Sequence, residues 1–252
     1  MRWPTLKIGI ISDIHGNAEA LQSVLNRLKD VDQVVCLGDI VGYGADPIYC
    51  IKKIRELEAP CIKGNHEAAV TGELDLHYFN EDARQAIQWT KGQLEEHDFG
   101  YLSRLKRKIT IHKDYKDVLG VHGSPRQPLW EYILDKQTAE EIFDRFDFGI
   151  YFIGHSHIAG YFTFQRKNKV VRYFSAINGV EIVIQKAYSY IINCGSVGQP
   201  RDRNPQASFA IFDTEQLKIH IIRINYPITK AQDKITKANL PQFLAERLAL
   251  GI

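Results

Sequence analysis

Hydrophobic residues in the first quarter of the chain switch between continuous runs and helical spacing. Residues 6–12 form an apolar run, which is typical of a strand that is buried on both faces. Residues 17–29 then carry apolar side chains at helical spacing, which predicts an amphipathic helix. The same alternation predicts a strand at 33–37, a helix at 46–58 and a strand at 60–63. This β-α-β-α-β order is typical of a parallel sheet covered by helices.

The middle of the chain continues with both kinds of element. Helices are predicted at 80–97 and 137–146, and strands at 108–113, 116–122 and 149–153. Thr138 and Glu141 have the spacing of a capping box, in which each side chain binds a backbone N–H group at the start of a helix.

After residue 160 the pattern changes to short strands joined by turns, which favours antiparallel pairing. These strands are predicted at 160–165, 170–174, 180–184, 188–193, 207–213 and 217–224. The segment 229–250 is predicted to be helical, with an interruption at Pro241. We therefore expect an α/β protein with mixed sheets, folded as one domain over residues 1–252 with a C-terminal helical extension at about 229–252.

Composition limits the class of protein. With 44% hydrophobic and 25% charged residues, the chain has the make-up of a globular protein. Its net charge of +2 does not by itself indicate nucleic-acid binding. The four cysteines form no C-x-x-C pair, so we expect buried free thiols and a reducing cytoplasm. No secretory leader follows Met1 and no apolar run reaches ~18 residues, so we expect neither a signal peptide nor a membrane span.

Polar residues of the metal-binding type recur just after predicted strands. They are Asp13 and His15 (ISDIHGN), Asp39 (CLGDIVG), Asn65 and His66 (IKGNHE), His122 (GVHGS), and His155 and His157 (IGHSHI). Asp13 and His15 are two positions apart, so on an extended backbone their side chains point to the same side. The carboxyl ends of parallel strands meet at one edge of a sheet, where ligands bind. Carboxylate, amide and imidazole groups suit Mn, Fe, Zn or Ni. Two such cations ~3.5–4 Å apart are typical of phosphate-ester hydrolysis.

The order of these motifs is more specific than any one of them, because a single histidine such as His122 is more simply a hydrogen-bonded core residue. The series D-x-H, G-D, G-N-H-[DE], G-H and G-H-x-H, from Asp13 to His157, resembles that of the calcineurin-like metallophosphoesterase superfamily. Residues 38–47 and 195–201 are similar to a prokaryotic branch whose members are mostly uncharacterised. The resemblance implies a four-layer α/β/β/α sandwich, which agrees with the mixed strand pattern.

The resemblance also implies a dinuclear metal site. The first cation would take Asp13, His15, Asp39 and His157, and the second Asp39, Asn65, His122 and His155. A hydroxide that bridges the two cations would attack phosphorus. His66 would assist the leaving group; the alternative is that it only packs behind the ligands. We expect two Mn ions as cofactors, with Fe, Ni, Zn or Co as alternatives.

Further candidates for binding the substrate are Arg126, Arg201, Asn17 and Tyr43. A guanidinium group matches phosphate through two parallel hydrogen bonds, although either arginine could instead be a solvated surface residue. Protein Ser/Thr phosphatases of the superfamily carry Asp and Arg where this chain has Gly42 and Tyr43, which argues against that activity. Glu67 is a candidate to orient His66 in place of the missing Asp.

Together these features predict a metal-dependent phosphoesterase that acts on phosphodiesters rather than monoesters. Two alternatives stay open. One is a nuclease, because basic clusters occur at 104–108 and 166–169. The other is a non-catalytic metal-binding scaffold, against which His66 argues. The expected partner is a small phosphorylated substrate, with nucleic acid not indicated and no membrane. An apolar stripe near the C-terminus is either core or the contact of a homo-oligomer: Leu240, Phe243, Leu244 and Leu248.

Overall fold

The computed structural model describes residues 6–112 and 118–252 of the chain. Its strands are β1 (Lys7–Ile11), β2 (Gln33–Cys36), β3 (Lys108–His112), β4 (Val118–Val121), β5 (Ile150–Ile153), β6 (Gly160–Gln165), β7 (Val170–Ser175), β8 (Val180–Val183), β9 (Tyr188–Asn193), β10 (Ala207–Asp213) and β11 (Lys218–Ile224). Its helices are α1 (Ala18–Arg27), α2 (Pro47–Glu56), α3 (Asn65–Val70), α4 (Glu81–Gln93), α5 (Glu96–Ser103), α6 (Lys136–Arg145), α7 (Ile228–Lys237) and α8 (Gln242–Leu250), with a 3-10 turn at Leu76–Tyr78.

The strands form two mixed sheets. The first has the order β2-β1-β10-β11-β8 and the second the order β3-β4-β5-β9-β6-β7. β1 runs parallel to β2, and β5 runs parallel to both β4 and β9, whereas the other neighbours are antiparallel. The antiparallel pairing predicted after residue 160 is therefore correct for most of these strands. The exception is β9, which pairs in parallel with β5 on one side and antiparallel with β6 on the other.

Alternating side chains place the two sheets face to face. Ile8 and Ile10 of β1 point into a core between the sheets, where Phe152 of β5 and Phe212 of β10 also lie. Ile11 of β1 points the opposite way, into a core that is covered by α1, α2, α4, α7 and α8. On the outer face of the second sheet, α6 packs over β4, β5 and β6. The layers are helices, sheet, sheet and helix, so the expected four-layer sandwich is confirmed.

Several boundaries differ from the predictions. The strand predicted at 60–63 consists of isolated bridges at Cys61 and Ile62. The helix predicted at 80–97 is divided into α4 and α5, with a new N-terminus at Glu95. Helix α3 begins inside the G-N-H-E motif and was not predicted, because a helix of 6 residues is too short to show a clear apolar period. The turn predicted between the strands at 108–113 and 116–122 falls outside the described residues.

The start of α6 corrects a predicted cap. The N-cap is Asp135, whose carboxylate accepts a hydrogen bond from the backbone N–H of Thr138 at 2.8 Å. Glu141 instead binds the guanidinium of Arg126 at 2.7 Å. The predicted capping box is therefore wrong, since spacing alone does not tell which of two nearby oxygen-bearing side chains stands at the helix end.

Helices α7 and α8 close the helix-covered core of the first sheet. Three residues of the apolar stripe are buried there: Leu240, Leu244 and Leu248. Phe243 is exposed. Lys234 of α7 binds Glu19 of α1 at 2.9 Å and Asp46, just before α2, at 2.8 Å. Most of the stripe is therefore intramolecular core, and an ion-paired lysine ties the C-terminal helices to two N-terminal elements.

The cysteines are free thiols, as expected: Cys36, Cys50 and Cys194 are buried and Cys61 is half-buried. Over the described ranges, none of the helices has both the length and the apolar character needed to cross a bilayer.

Candidate metal centre

The predicted ligands lie where strands of both sheets end. Asp13 and His15 follow β1, Asp39 follows β2, Asn65 begins α3, His122 follows β4, and His155 and His157 follow β5. β1 and β2 belong to the first sheet, and β4 and β5 belong to the second. Because these four strands end at a common edge, segments that are distant in sequence bring their side chains to one place.

The backbone turns sharply at these strand ends. Positive φ angles occur at Asp13 (55°), His15 (49°), Asp39 (53°), His155 (64°) and His157 (60°). Non-glycine residues enter this left-handed region at a cost of roughly 1–3 kcal/mol each and stay there only when their surroundings hold them. Hydrogen bonds between segments do so here: the N–H of Asp13 donates to the Gly38 carbonyl at 3.1 Å, and the N–H of His15 donates to the Asp39 carbonyl at 2.9 Å.

Two carboxylates lie buried at the centre. Asp13 Oδ1 is 3.3 Å from Nε2 of His157. Asp39 Oδ2 is 3.3 Å from Nε2 of His122 and 3.5 Å from Nε2 of His15. Within residues 6–112 and 118–252, both aspartates form ion pairs with imidazoles and with no Lys or Arg. Because burying carboxylates without a cation is costly, this set of donors fits divalent cations.

The side chains gather into two groups that share one carboxylate. The first comprises Asp13, His15, Asp39 and His157, and the second Asp39, His122 and His155, with the ligand atoms of each group within 4.8 Å of one another. Asn65 Oδ1 lies 3.1 Å from Nε2 of His122, beside the second group. The structure thus brings together all seven residues of the predicted site, and Asp39 stands between the two groups.

Each histidine of the two groups faces a backbone carbonyl with one ring nitrogen. The pairs are His15 Nδ1 with Val41 (3.1 Å), His122 Nδ1 with Leu37 (2.9 Å), His157 Nδ1 with Gln199 (2.6 Å) and His155 Nε2 with Trp130 (3.1 Å). A carbonyl oxygen only accepts hydrogen bonds, so the ring nitrogen that faces it carries the proton. The other nitrogen of each neutral ring then presents its lone pair inward, which is the arrangement that metal-binding histidines require.

The pKa values show how the buried charges compensate one another without a cation. Burial opposes a charge on His122, but Asp39 and Asp13 outweigh it and raise the pKa of His122 to about 10. Burial would likewise raise the pKa of Asp39, but His122 and His66 outweigh it and hold that pKa well below its usual range. Burial lowers the pKa of His155 to about 3, and His122 adds to this effect. A cation would take over the compensating charge from the His122 imidazolium and release its proton.

His66 is buried beside the first group but belongs to neither. Its backbone N–H donates to Asp39 Oδ1 at 2.9 Å. Its ring centroid is 4.7 Å from that of His15 and 4.5 Å from that of Tyr43. Its Nδ1 is buried and makes no hydrogen bond. Burial lowers the pKa of His66 to about 4 against the attraction of Asp39, and Arg201 contributes to the lowering.

Glu67, the candidate to orient His66, binds backbone groups instead. Its carboxylate accepts hydrogen bonds from the backbone N–H groups of Asp39 (2.7 Å), Ile40 (2.7 Å), Val41 (3.2 Å) and Gly64 (2.9 Å). It therefore fixes the loop that carries Asp39 and the start of α3 that carries Asn65. Sequence reasoning missed this role, although an acidic residue at the third position of a helix is a known signal for binding nearby N–H groups.

The sequence of this chain is similar to those of known proteins. The family profile of the calcineurin-like phosphoesterase superfamily domain matches residues 6–217. The chain belongs to this superfamily. An uncharacterized protein of Methanocaldococcus jannaschii is 40% identical over 248 residues, which cover 97% of this chain and 98% of that protein. The symmetrical bis(5'-nucleosyl)-tetraphosphatase of Erwinia tasmaniensis is 29% identical over 141 residues, which cover 53% of this chain and 49% of that enzyme.

Two solved structures share the whole fold. A metallophosphoesterase from Sphaerobacter thermophilus superposes with a TM-score of 0.86 at 38% identity, covering 99% of this chain and 100% of that chain. A hypothetical protein from Pyrococcus horikoshii OT3 gives a TM-score of 0.78 at 21% identity, covering 98% of each chain. The first of these supports the fold and the family, and the second supports the fold.

Of the predicted substrate-binding residues in this calcineurin-like phosphoesterase, Arg201 and Tyr43 lie beside the centre. The backbone N–H of Arg201 donates to the His157 carbonyl at 3.2 Å. Its guanidinium carbon is 5.5 Å from the centroid of the Tyr43 ring, and its NH2 group donates to Gln199 Oε1 at 2.8 Å. Its Nε is buried without a hydrogen-bond partner. This side chain keeps donor capacity for an anion close to His66.

Arg126 is held by carboxylates rather than directed to the centre. Its Nε donates to both oxygens of Glu131, at 2.7 and 2.9 Å, and its NH1 donates to Glu141 at 2.7 Å. A phosphate would have to compete with both acids for this guanidinium group. Arg126 therefore joins the loop before α6 to that helix.

Asn17 acts as a helix cap. Its Oδ1 accepts the backbone N–H of Ala20 at 3.0 Å, which places it at the N-cap of α1. Its Nδ2 donates to the Gly198 carbonyl at 2.9 Å. Both ends of the amide are thus occupied by backbone groups, and these contacts explain Asn17 without a substrate.

One arginine in each basic cluster that suggested a nuclease has an acidic partner. In the cluster at 104–108, Arg107 forms an ion pair with Glu73. In the cluster at 166–169, Arg166 binds Asp147 at 2.6 Å and the Phe148 carbonyl at 2.9 Å. Neutralised arginines bind nucleic acid less well, so these contacts do not favour the nuclease alternative.

Proposed function

We propose that the protein hydrolyses phosphate esters with two divalent cations, and that it prefers phosphodiesters to monoesters. The observation that carries the proposal is the pair of side-chain groups that share Asp39, in which each histidine is held by a backbone carbonyl so that its other ring nitrogen faces inward. Such preorganisation is typical of a metal site rather than of a core that merely contains histidines.

The proposal assigns a task to each group of residues. Asp13, His15, Asp39 and His157 hold the first cation, and Asp39, Asn65, His122 and His155 hold the second. Bound divalent cations, of which we propose Mn, supply an activated water nucleophile and positive charge for the phosphate oxygens. Arg201, which lies beside His66 and Tyr43, binds a further phosphate oxygen.

His66 completes the proposed machinery on the leaving-group side. Its ring packs against the rings of His15 and Tyr43, and its backbone N–H is bound by Asp39. Because its pKa is about 4 before substrate binds, the ring is neutral at pH 7. A neutral imidazole still donates one N–H, which stabilises the charge on the departing oxygen.

The preference for phosphodiesters follows from the supply of positive charge. A phosphomonoester carries one more negative charge than a diester near neutral pH. Of the two predicted arginines, Arg126 is already neutralised by Glu131 and Glu141, which leaves Arg201 for the substrate. The relative from Erwinia tasmaniensis is named as a bis(5'-nucleosyl)-tetraphosphatase, which supports a substrate other than a simple monoester.

The test compares turnover of bis(p-nitrophenyl) phosphate and p-nitrophenyl phosphate after removal of metal and reconstitution with Mn²⁺, Ni²⁺ or Zn²⁺. We expect higher kcat/KM for the diester and a slower reaction by roughly 10²–10⁴-fold in His66→Asn. The matched control is His97→Asn, because His97 lies on the surface of α5. A folded, metal-loaded protein that turns over neither ester would contradict the proposal, and so would equal rates in wild type and His66→Asn.

A further inference from the structure

Three aromatic side chains form an exposed rim beside the metal centre. Tyr78 is 57% exposed, Trp130 is 36% exposed and Tyr132 is 44% exposed. They come from two loops, one before α4 and one before α6. Large apolar rings that are left in contact with water at the edge of a site often mark a place where a ligand covers them.

The rim continues inward to the proposed leaving-group histidine. The ring centroid of Tyr78 is 5.9 Å from that of Trp130, and Trp130 is 5.1 Å from Phe79. Phe79 is in turn 5.4 Å from His66, with the two rings edge to face. A group that departs past His66 toward solvent would therefore meet aromatic surface along its path.

The other end of the rim rests on a proposed metal ligand. The ring of Tyr132 stacks on His155 with a centroid distance of 4.0 Å and an interplanar angle of 14°. The carbonyl of Trp130 accepts the hydrogen bond from Nε2 of the same histidine at 3.1 Å.

The loop that carries Trp130 and Tyr132 is held in place. Glu131, between the two rings, pairs with Arg126 at 2.6 Å and accepts a hydrogen bond from the Ser124 hydroxyl. Its neighbour Trp130 donates its backbone N–H to the Gln127 carbonyl at 3.3 Å. Rings that are fixed before binding lose little conformational entropy when they stack on a ligand.

We propose that the aromatic rim of Tyr78, Trp130 and Tyr132 stacks on a planar aromatic group that the substrate carries on its phosphate, with a nucleobase as the chemical class. This inference rests on the proposed function, since it names the kind of phosphate ester that the centre accepts. Aromatic rings bind every base through its π-face, so the rim selects nucleotides over sugar phosphates without selecting one base.

The test measures binding of adenosine 5'-monophosphate and of ribose 5-phosphate to the Mn²⁺-loaded protein by calorimetry. The two probes share the sugar and the phosphate, and only the first has a base. We expect the first to bind roughly 5- to 100-fold more tightly, because stacking on one aromatic ring contributes that much. Trp130→Ala and Tyr78→Ala should each weaken the binding of adenosine 5'-monophosphate more than the binding of ribose 5-phosphate, and so remove much of this difference.

The matched control is Phe174→Ala, because Phe174 is 40% exposed on β7, away from the ligand loops. Equal affinities of the two probes for the wild type would overturn the inference, and so would an equal loss in the Phe174 variant. Binding is measured apart from turnover, so the two proposals can fail separately. Hydrolysis of bis(p-nitrophenyl) phosphate without any preference for the nucleotide rejects the rim alone. A preference for the nucleotide without hydrolysis of any ester rejects the proposed function.

Discussion

A Cβ atom added to Gly42 would overlap Nδ1 of His66. Gly42 also has a φ angle of 91°, a conformation that residues with a side chain rarely adopt. Protein Ser/Thr phosphatases carry an aspartate where this chain has Gly42. The space that a side chain at this position would need is occupied here by the His66 ring. In this protein the His66 ring is positioned by the backbone of Gly42 and by the rings of Tyr43 and Phe79.

We predict that Gly42→Ala displaces His66 and lowers kcat for bis(p-nitrophenyl) phosphate by roughly 10²-fold or more. Bound metal, counted by mass spectrometry of the purified protein, should stay at two ions per chain. Gly92→Ala is the control, because a Cβ atom there meets nothing within 4 Å. An unchanged rate in Gly42→Ala would show that the position of His66 does not limit the reaction.

The shared carboxylate leads to a prediction about metal content. Asp39→Asn should lose both cations, because one carboxylate serves both ligand groups. His15→Ala should weaken the first site alone, and His155→Ala the second alone. Elemental analysis of the three variants gives the number of ions, and anomalous scattering from their crystals gives the positions. Retention of one tightly bound ion in Asp39→Asn would mean that this carboxylate does not bridge.

Glu67 is predicted to contribute to the free energy of unfolding. Glu67→Gln keeps the size of the side chain but replaces one acceptor oxygen with a donor that faces backbone N–H groups. We expect a loss of roughly 2–5 kcal/mol in the free energy of unfolding, measured with urea, since buried donors are left unpaired. Glu81→Gln is the control and should leave this free energy nearly unchanged, because Glu81 pairs with Arg84 at the exposed surface.

Metal binding is predicted to stabilise the fold. Cations that bind only the folded chain add to its stability, by about 4 kcal/mol when the free concentration is 1,000 times the Kd. We therefore expect the melting temperature to fall after chelation and to recover when Mn²⁺ is returned. The melting temperature of Asp39→Asn should be as low with Mn²⁺ as after chelation. A chelated wild type that melts at the temperature of the loaded protein would argue against cations at this centre.

The pairing of Glu19 with two lysines of α7 predicts a dependence of stability on pH. Burial alone would raise the pKa of Glu19, but Lys234 and Lys230 outweigh burial and lower it. A lowered folded-state pKa contributes stability at neutral pH, and this contribution is lost as the pH falls below the unfolded value of about 4.3. Urea unfolding of wild type and Glu19→Gln between pH 3 and 7 checks this. The difference between the two proteins should shrink at the acid end of the range.

The sequence was sufficient to predict which side chains come together at the candidate centre, because motifs at strand ends specify both residue type and position. Asp13, Asp39 and His157 lie together although they come from different sheets. The position of Glu67 in α3 indicates its bond to the nearby Gly64 N–H, but its bonds to Asp39, Ile40 and Val41 could not be predicted, because that loop is more than twenty residues away. The sequence predicted the same phosphate-binding role for Arg126 and Arg201. In the structure they differ, because Arg126 is paired with two carboxylates.

The secondary structure was also predicted only in part. Long amphipathic segments such as α1 were predicted within a few residues, since the apolar period is visible over several turns. Helix α3 was missed, and so was the parallel pairing of β9 with β5. A strand's neighbours depend on tertiary packing, and the period of a single strand does not specify them. The aromatic rim was missed for a similar reason, because Tyr78 and Trp130 are adjacent only after folding.

Both ligand groups combine residues that follow β1 or β2 with residues that follow β4 or β5. During synthesis the first sheet's ligands emerge from the ribosome well before His155 and His157. A nascent chain that ends near Val121 would contain Asp13, His15, Asp39 and Asn65 but none of His122, His155 and His157. Cations would then bind late in biogenesis. An occupied centre would show that the two sheets have packed against each other.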